Sequence, residues 1–187
     1  MVVAVSTTNS IKKAYVPLGT DYDNSYAEVV TVVGSMPASE DRILDGTTFI
    51  AGDYSSGVSF NTGVDILIQN GANDGVYLNA DILTTVDCSV ALYEIPTFSA
   101  AGSAITPRNL NRASTKVLGA TITKNPTVSI NGTQIGPTIL NQADISKPLL
   151  DNRIVLKAST NYLIKITNIS SYVGIINTLM QLNQPNL

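Results

Sequence analysis

The chain of 187 residues has no histidine, no tryptophan and a single cysteine, and only 13% of it is charged. Each shortage closes off a chemistry. Without imidazole there is no Ser-His-Asp or Cys-His catalysis, no His-ligated zinc or iron, and no side chain whose ordinary pKa sits near neutrality. One thiol makes neither an internal disulfide nor a Cys-x-x-Cys site, so the apolar core has to hold the fold. Eleven Lys and Arg against fourteen Asp and Glu leave a formal net charge of -3. A pI near 4.7 gives no reason to expect attraction to nucleic acid or to an anionic membrane, and neither is expected as a partner. The apolar runs are too short for a membrane-spanning helix, and Met1-Val2-Val3-Ala4-Val5-Ser6 has no basic residue ahead of its apolar stretch. The expectation is a soluble product without an ordinary signal peptide, made in a cytoplasm.

A chain of this length suits one main domain and buries roughly 70% of the surface that its unfolded form exposes. Thr, Ser and Asn together make 54 of the 187 residues, about twice the charged fraction. Helical surfaces are built from Lys, Glu, Arg and Gln, whereas Thr, Ser and Asn favour strands, caps and turns, so the composition is all-β. Val86, Cys88, Val90 and Leu92 alternate with Asp87, Ser89 and Tyr93, as a half-buried strand requires, and Cys88 reads as a small core residue. Tyr162, Ile164 and Ile166 set against Lys165 and Thr167 repeat the scheme, and Arg153 to Lys157 does so in brief. Further strands are expected at 2–6, 13–16, 27–33, 47–51, 58–69, 76–83, 117–123, 127–130 and 172–182.

Turns fall at Asp45-Gly46, Asn70-Gly71, Asp74-Gly75, Ala101-Gly102 and Asn131-Gly132. The last lies between Val128-Ser129-Ile130 and Thr133-Gln134-Ile135, where it predicts a type I′ hairpin. Many short strands separated by turns indicate an antiparallel β-sandwich of jelly-roll type over 41–187. Residues 1–40 alternate apolar and polar pieces broken by Pro17, Gly19 and Pro37, which suggests an extended N-terminal arm or peripheral strands. Its Val2, Val3 and Val5, with Val30 and Val32, are candidates for adding a strand to a neighbour, or else are strands of the same domain. Residues 96–116 read as a long connection, a length that usually carries function.

Several groups invite a chemical reading. Asp21-Tyr22-Asp23-Asn24-Ser25 opens like a calcium loop, but Tyr26 and Val32 stand where such a loop needs Gly and Glu, so a solvated turn is the stronger reading and no metal is expected. Asn70 to Gly75 is read the same way. Glu94 is the one carboxylate placed to be partly buried. A hydrolase would need a second carboxylate beside it, and pairing with Arg108 or Arg112 is the stronger reading. Asn131-Gly132-Thr133 and Asn168-Ile169-Ser170 match the glycosylation pattern by chance. Arg108 and Arg112, four apart after Pro107, would share one side of a short helical turn. Two readings stay open: a docking loop in which Arg108, Asn109, Asn111 and Arg112 grip a partner, or a loop tied by Arg112 and the asparagines to its own sheet.

Around this loop the chain resembles a family of tailed-bacteriophage structural proteins. The similarity lies in Val90-Ala91-Leu92-Tyr93-Glu94, in Ala101-Gly102-Ser103-Ala104-Ile105-Thr106-Pro107-Arg108-Asn109-Leu110-Asn111-Arg112, and in Leu156 to Asn168. Asp45-Gly46-Thr47-Thr48-Phe49 is similar to a further element nearer the start. The resemblance implies a jelly-roll virion protein without enzymatic activity or cofactor, a decoration or cement protein on the outer surface of the phage head, made in the bacterial cytoplasm. Its implied partners are the major capsid protein and further copies of itself, as a homotrimer ahead of a homodimer. A carbohydrate-binding jelly roll at a tail or fibre tip is the alternative and would require exposed Tyr or Phe platforms.

Overall fold

The computed structural model describes residues 4–5, 12–17, 26–29, 42–72, 75–149 and 154–184. The chain divides into two compact units, Met1–Asp41 and Arg42–Leu187. In the first, β1 (Ala4–Val5), β2 (Lys12–Pro17) and β3 (Tyr26–Val29) form a three-stranded antiparallel sheet in the order β1-β2-β3.

The second unit opens with a helical turn at residues 42–44, stopped by Gly46 at φ 68. The amides of Gly46 and Thr47 close that turn onto the carbonyls of Ile43 and Arg42, each at 3.0 Å, and glycine is the residue that accepts such a backbone at a helix end. Strands follow: β4 (Thr48–Val58), β5 (Gly63–Asn70), β6 (Val76–Thr84), β7 (Cys88–Glu94), β8 (Thr97–Ala100), β9 (Ser103–Ile105) and β10 (Arg108–Asn109). The remainder are β11 (Ala120–Lys124), β12 (Thr127–Ile130), β13 (Thr133–Asn141), β14 (Ser146–Pro148), β15 (Ile154–Leu156), β16 (Asn161–Asn168) and β17 (Gly174–Asn183). Sheet 1 runs β10-β4-β17-β6-β14, with β15 also on β6, and sheet 2 runs β13-β7-β16-β5-β11-β9. Every pairing is antiparallel.

The fold is an all-β, sandwich-like arrangement because alternate residues of both sheets enter one apolar cluster. Phe49, Ala51, Leu78, Ile82, Met180 and Leu182 come from sheet 1, and Ile66, Ile68, Cys88, Val90, Leu92, Tyr162 and Ile164 from sheet 2. Each of the larger ones, such as Phe49, Leu78 or Ile66, contributes about 1.5–3 kcal/mol when it leaves water. At one open edge Lys124 Nζ meets Asp53 Oδ1 at 2.6 Å, joining β11 of sheet 2 to β4 of sheet 1.

Three expectations are corrected. Residues 58–69 are two strands, parted at 59–62 by a turn in which Asn61 takes φ 57 and Thr62 bonds back to the Ser59 carbonyl. The connection at 96–116 holds β8, β9 and β10, and Arg108 sits in a strand opposite Ile50, not on a helical turn with Arg112. Asn131-Gly132 makes no hairpin either. Although β12 and β13 flank it, β12 pairs with β8 and β13 with β7, and of the two turn residues only Gly132 has positive φ.

That last correction reveals a third layer. The ribbon of β8 and β12 leaves sheet 2 at the end of β7 and rejoins it at β11, with the Asn125 amide on the Asp65 carbonyl of β5 at 2.7 Å. Tyr93, Leu163, Leu67 and Thr123 share one row across the outer face of sheet 2. The Thr123 hydroxyl donates outward to the carbonyl of Ala101 at the ribbon's end. The ribbon therefore crosses this row, and Leu67 and Leu163 are fully buried there, outside the main cluster.

Candidate interaction surface

The docking-loop asparagines hold the loop itself. Asn109 Nδ2 donates to the Gly46 carbonyl at 2.8 Å and its Oδ1 accepts the Asn111 amide at 2.9 Å. Asn111 Nδ2 reaches the Leu44 carbonyl at 2.7 Å while its Oδ1 accepts the Ala113 amide at 3.1 Å. Leu110 N bonds the Thr48 carbonyl at 2.9 Å. Arg108 and Arg112 stand exposed. Val5 lies in β1 opposite Lys12. Val2, Val3, Val30 and Val32, the residues Asp21 to Ser25, and Asn73 with Asp74 lie outside the described residues. Asn70 is buried and donates to the carbonyls of Leu156 at 3.3 Å and Lys157 at 2.8 Å. Cys88 is fully buried in the core, where desolvation pushes its thiol pKa up.

Glu94 pairs with neither arginine. Its Oε1 lies 2.8 Å from Lys157 Nζ and accepts the Tyr162 hydroxyl at 3.0 Å, and that hydroxyl accepts the Lys157 amide at 2.8 Å. The register explains this: Tyr162 lies directly opposite Glu94, so the turn before β16 brings Lys157 alongside, while Arg108 is committed to sheet 1. Hydrogen bonding from Lys157 holds the Glu94 carboxyl below its usual range, against the opposing effect of burial and with help from Tyr162. Burial raises the Tyr162 phenol.

Two hollows flank residues 104–106. One, of about 410 Å³, is lined by Phe49, Ile105, Leu118 and Ile122, with Lys116 its only charged side chain. The other, of about 500 Å³, contains Asp53, Arg108 and Lys124. Its one carboxylate is occupied on both oxygens, by Lys124 and by the Ser55 hydroxyl at 2.7 Å. Among the described residues no three His, Cys, Asp or Glu side chains are grouped as a metal ion would need.

The most distinctive surface is one end of the sandwich. The connections at 59–62, 85–87, 142–145 and 169–173 all emerge there, and the buried side chain of Asn168 ties the first to the last. Asn168 Nδ2 donates to the carbonyls of Val58 at 2.9 Å and Tyr172 at 2.7 Å, and its Oδ1 accepts the Ser170 amide at 2.8 Å. The main chain of Asn168 bonds Asn61 and Thr62, each at 2.9 Å, and Ile169 N bonds the Asp87 carbonyl at 2.9 Å. On this frame Tyr172 is 75% exposed and Phe60 53%, with Val173, Ile169 and Ile145 also open to solvent. These four connections contain no Lys or Arg, and their only acids are Asp87 and Asp144. The opposite end carries Arg112, Lys116 and Lys157. Sequence reading missed this end, although a signal was present: Asn168-Ile169-Ser170, a chance glycosylation match, is an Asx turn closing a strand.

No protein-family model matches the chain, and neither a curated protein nor a solved structure does.

Proposed function

We propose that the protein is a non-enzymatic structural component of a tailed-phage virion, a jelly roll that attaches to the outer surface of the head and stabilises the coat lattice. The strand order supports the jelly-roll reading. Taking β4, β5, β6, β7, β13, β15, β16 and β17 as first to eighth, sheet 1 reads first-eighth-third-sixth and sheet 2 reads fifth-fourth-seventh-second. That is the interleaving of two Greek keys. Residues 95–132 are then an insertion between the fourth and fifth strands.

The observation that carries the attachment reading is the end at Asn168, whose four connections hold no Lys or Arg and expose Phe60, Ile145, Ile169, Tyr172 and Val173. Aromatic side chains on a preorganised frame lose little entropy on docking, and with Asp87 and Asp144 as its only charges this end suits a neutral to basic coat-protein surface. In this reading residues 1–40 are the arm that adds contacts to a neighbour, and the protein assembles as a homotrimer. The test is occupancy on purified heads. A Phe60→Ala/Tyr172→Ala double variant is expected to lose attachment at least about tenfold, the cost of removing hot-spot aromatics, with its thermal midpoint held. Unchanged occupancy overturns the docking end, and recovery only with purified tails overturns the head assignment.

A second reading has one observation in its favour. Exposed Tyr172 and Phe60 at one end, with Tyr54 exposed on sheet 1, are the kind of platforms a carbohydrate-binding tail-tip protein presents to sugar rings. Specific binding on a glycan array, lost in the same double variant, would favour it over the coat-protein reading.

A further inference from the structure

The chain contains two Asn-Gly dipeptides, and the fold treats them oppositely. Asn70 is 6% exposed, its amide is engaged by the Leu156 and Lys157 carbonyls, and the following Gly71 amide is bonded to the Gly119 carbonyl at 3.2 Å. Asn131 is half-buried in the link between β12 and β13. Among the described residues its side chain takes part in no hydrogen bond, and the Gly132 N–H donates to no backbone carbonyl. Gly132 has φ 92 and no Cβ to shield its nitrogen.

We infer that Asn131 is a site of spontaneous deamidation from which the fold protects Asn70. The Gly132 amide nitrogen attacks the Asn131 side-chain carbonyl carbon. A C–N bond forms to close a succinimide, the bond to the side-chain nitrogen breaks, and the Gly132 amide proton leaves with it as ammonia. Water then adds across one of the two imide C–N bonds, giving aspartate or, through the other bond, isoaspartate. Either product adds a negative charge beside Gly132, and isoaspartate also inserts a methylene into the main chain. The backbone that follows is closely packed: a Cβ placed on Gly132 would lie 2.2 Å from the Glu94 carbonyl oxygen and 2.8 Å from that of Ile95. The modification therefore acts at the root of the ribbon that covers Leu67 and Leu163, and ageing of the protein would loosen that cover.

The test is to incubate the full folded chain in mildly alkaline buffer and follow both peptides by mass spectrometry, with enzymatic methyl-transfer labelling for isoaspartate. Asn131 is expected to convert at least about tenfold faster than Asn70, the factor implied by the hydrogen bonds that only Asn70 would have to break. Asn131→Gln, which lacks the five-membered ring closure, is expected to abolish the labelling. In urea, where the fold no longer shields either site, the two rates should converge. Equal conversion at the two sites in the folded protein, an unmodified Asn131, or a difference that persists in urea would overturn the inference.

Discussion

On the outside of sheet 2, Leu67 and Leu163 are fully buried, whereas on the outside of sheet 1 Leu179 is 47% exposed and Leu83 43%. Both pairs sit on the outward side of central strands, and both are flanked by the same core on the inside. The difference is the ribbon of β8 and β12, which covers one face and has no counterpart among the described residues of sheet 1. Burial in a strand is thus set by what crosses it as much as by the alternation of its residues. Among the described residues sheet 2 lies between sheet 1 and the ribbon, whereas the outer face of sheet 1 keeps Leu83 and Leu179 exposed.

The largest test of this contrast is a matched pair of truncations. Leu163→Ala should cost about 2–5 kcal/mol, since it leaves a cavity between sheet and ribbon. Leu179→Ala, on the open face, should stay within about 0.5 kcal/mol. Urea unfolding of the two variants measures both, and equal losses would show that the ribbon does not close over sheet 2.

A second test attacks the ribbon at its root. Gly132→Ala places a side chain at positive φ and against the Glu94 carbonyl, and should cost about 1–2 kcal/mol for the left-handed backbone alone. The consequence should be local. Amide exchange should quicken in β5 and β16 beneath the ribbon while β17 at the centre of sheet 1 keeps its protection, since stability is lost in contiguous units. Uniform quickening of both sheets would mean that ribbon and sandwich unfold as one.

Much of sheet 2 was legible in the sequence. The strand faces at 88–92 and 161–167, the core position of Cys88 and the glycine turns at Gly46 and Gly102 follow from period-2 alternation and positive φ, both local properties. Of the ribbon, β12 was legible at 127–130, whereas β8, like β9 and β10, is a strand of two to four residues inside a stretch read as one connection and shows no period. Asn131-Gly132 misled for a related reason: a turn dipeptide specifies a change of direction but not the partner of the strand that follows. A usable signal for the third layer does exist. Ile66-Leu67-Ile68 and Tyr162-Leu163-Ile164 each break the alternation with three apolar residues in a row, which is how a strand buried on both faces reads. The loop end built on Asn168 is assembled from four connections distant in sequence, and only the sheet register brings them together.

The smallest expected effect concerns the ion pair where the ribbon departs from β7. Hydrogen bonding from Lys157 depresses the folded-state pKa of Glu94 below its ordinary 4.5, so the pair's contribution is fully present above that value and is lost as pH falls through the depressed one. Lys157 has the opposite sign: Glu94 raises its pKa above 10.5, so its share is present below that value and lost as pH rises through the raised one. With Lys157 mostly exposed the effect is small. Glu94→Gln should flatten the acid limb of the stability profile and leave the neutral range unchanged. A mutant profile still parallel to the parent's in acid would show that this carboxylate does not help to hold the ribbon side of the molecule. Because the sequence has no histidine, no imidazole titrates across neutrality to obscure the result.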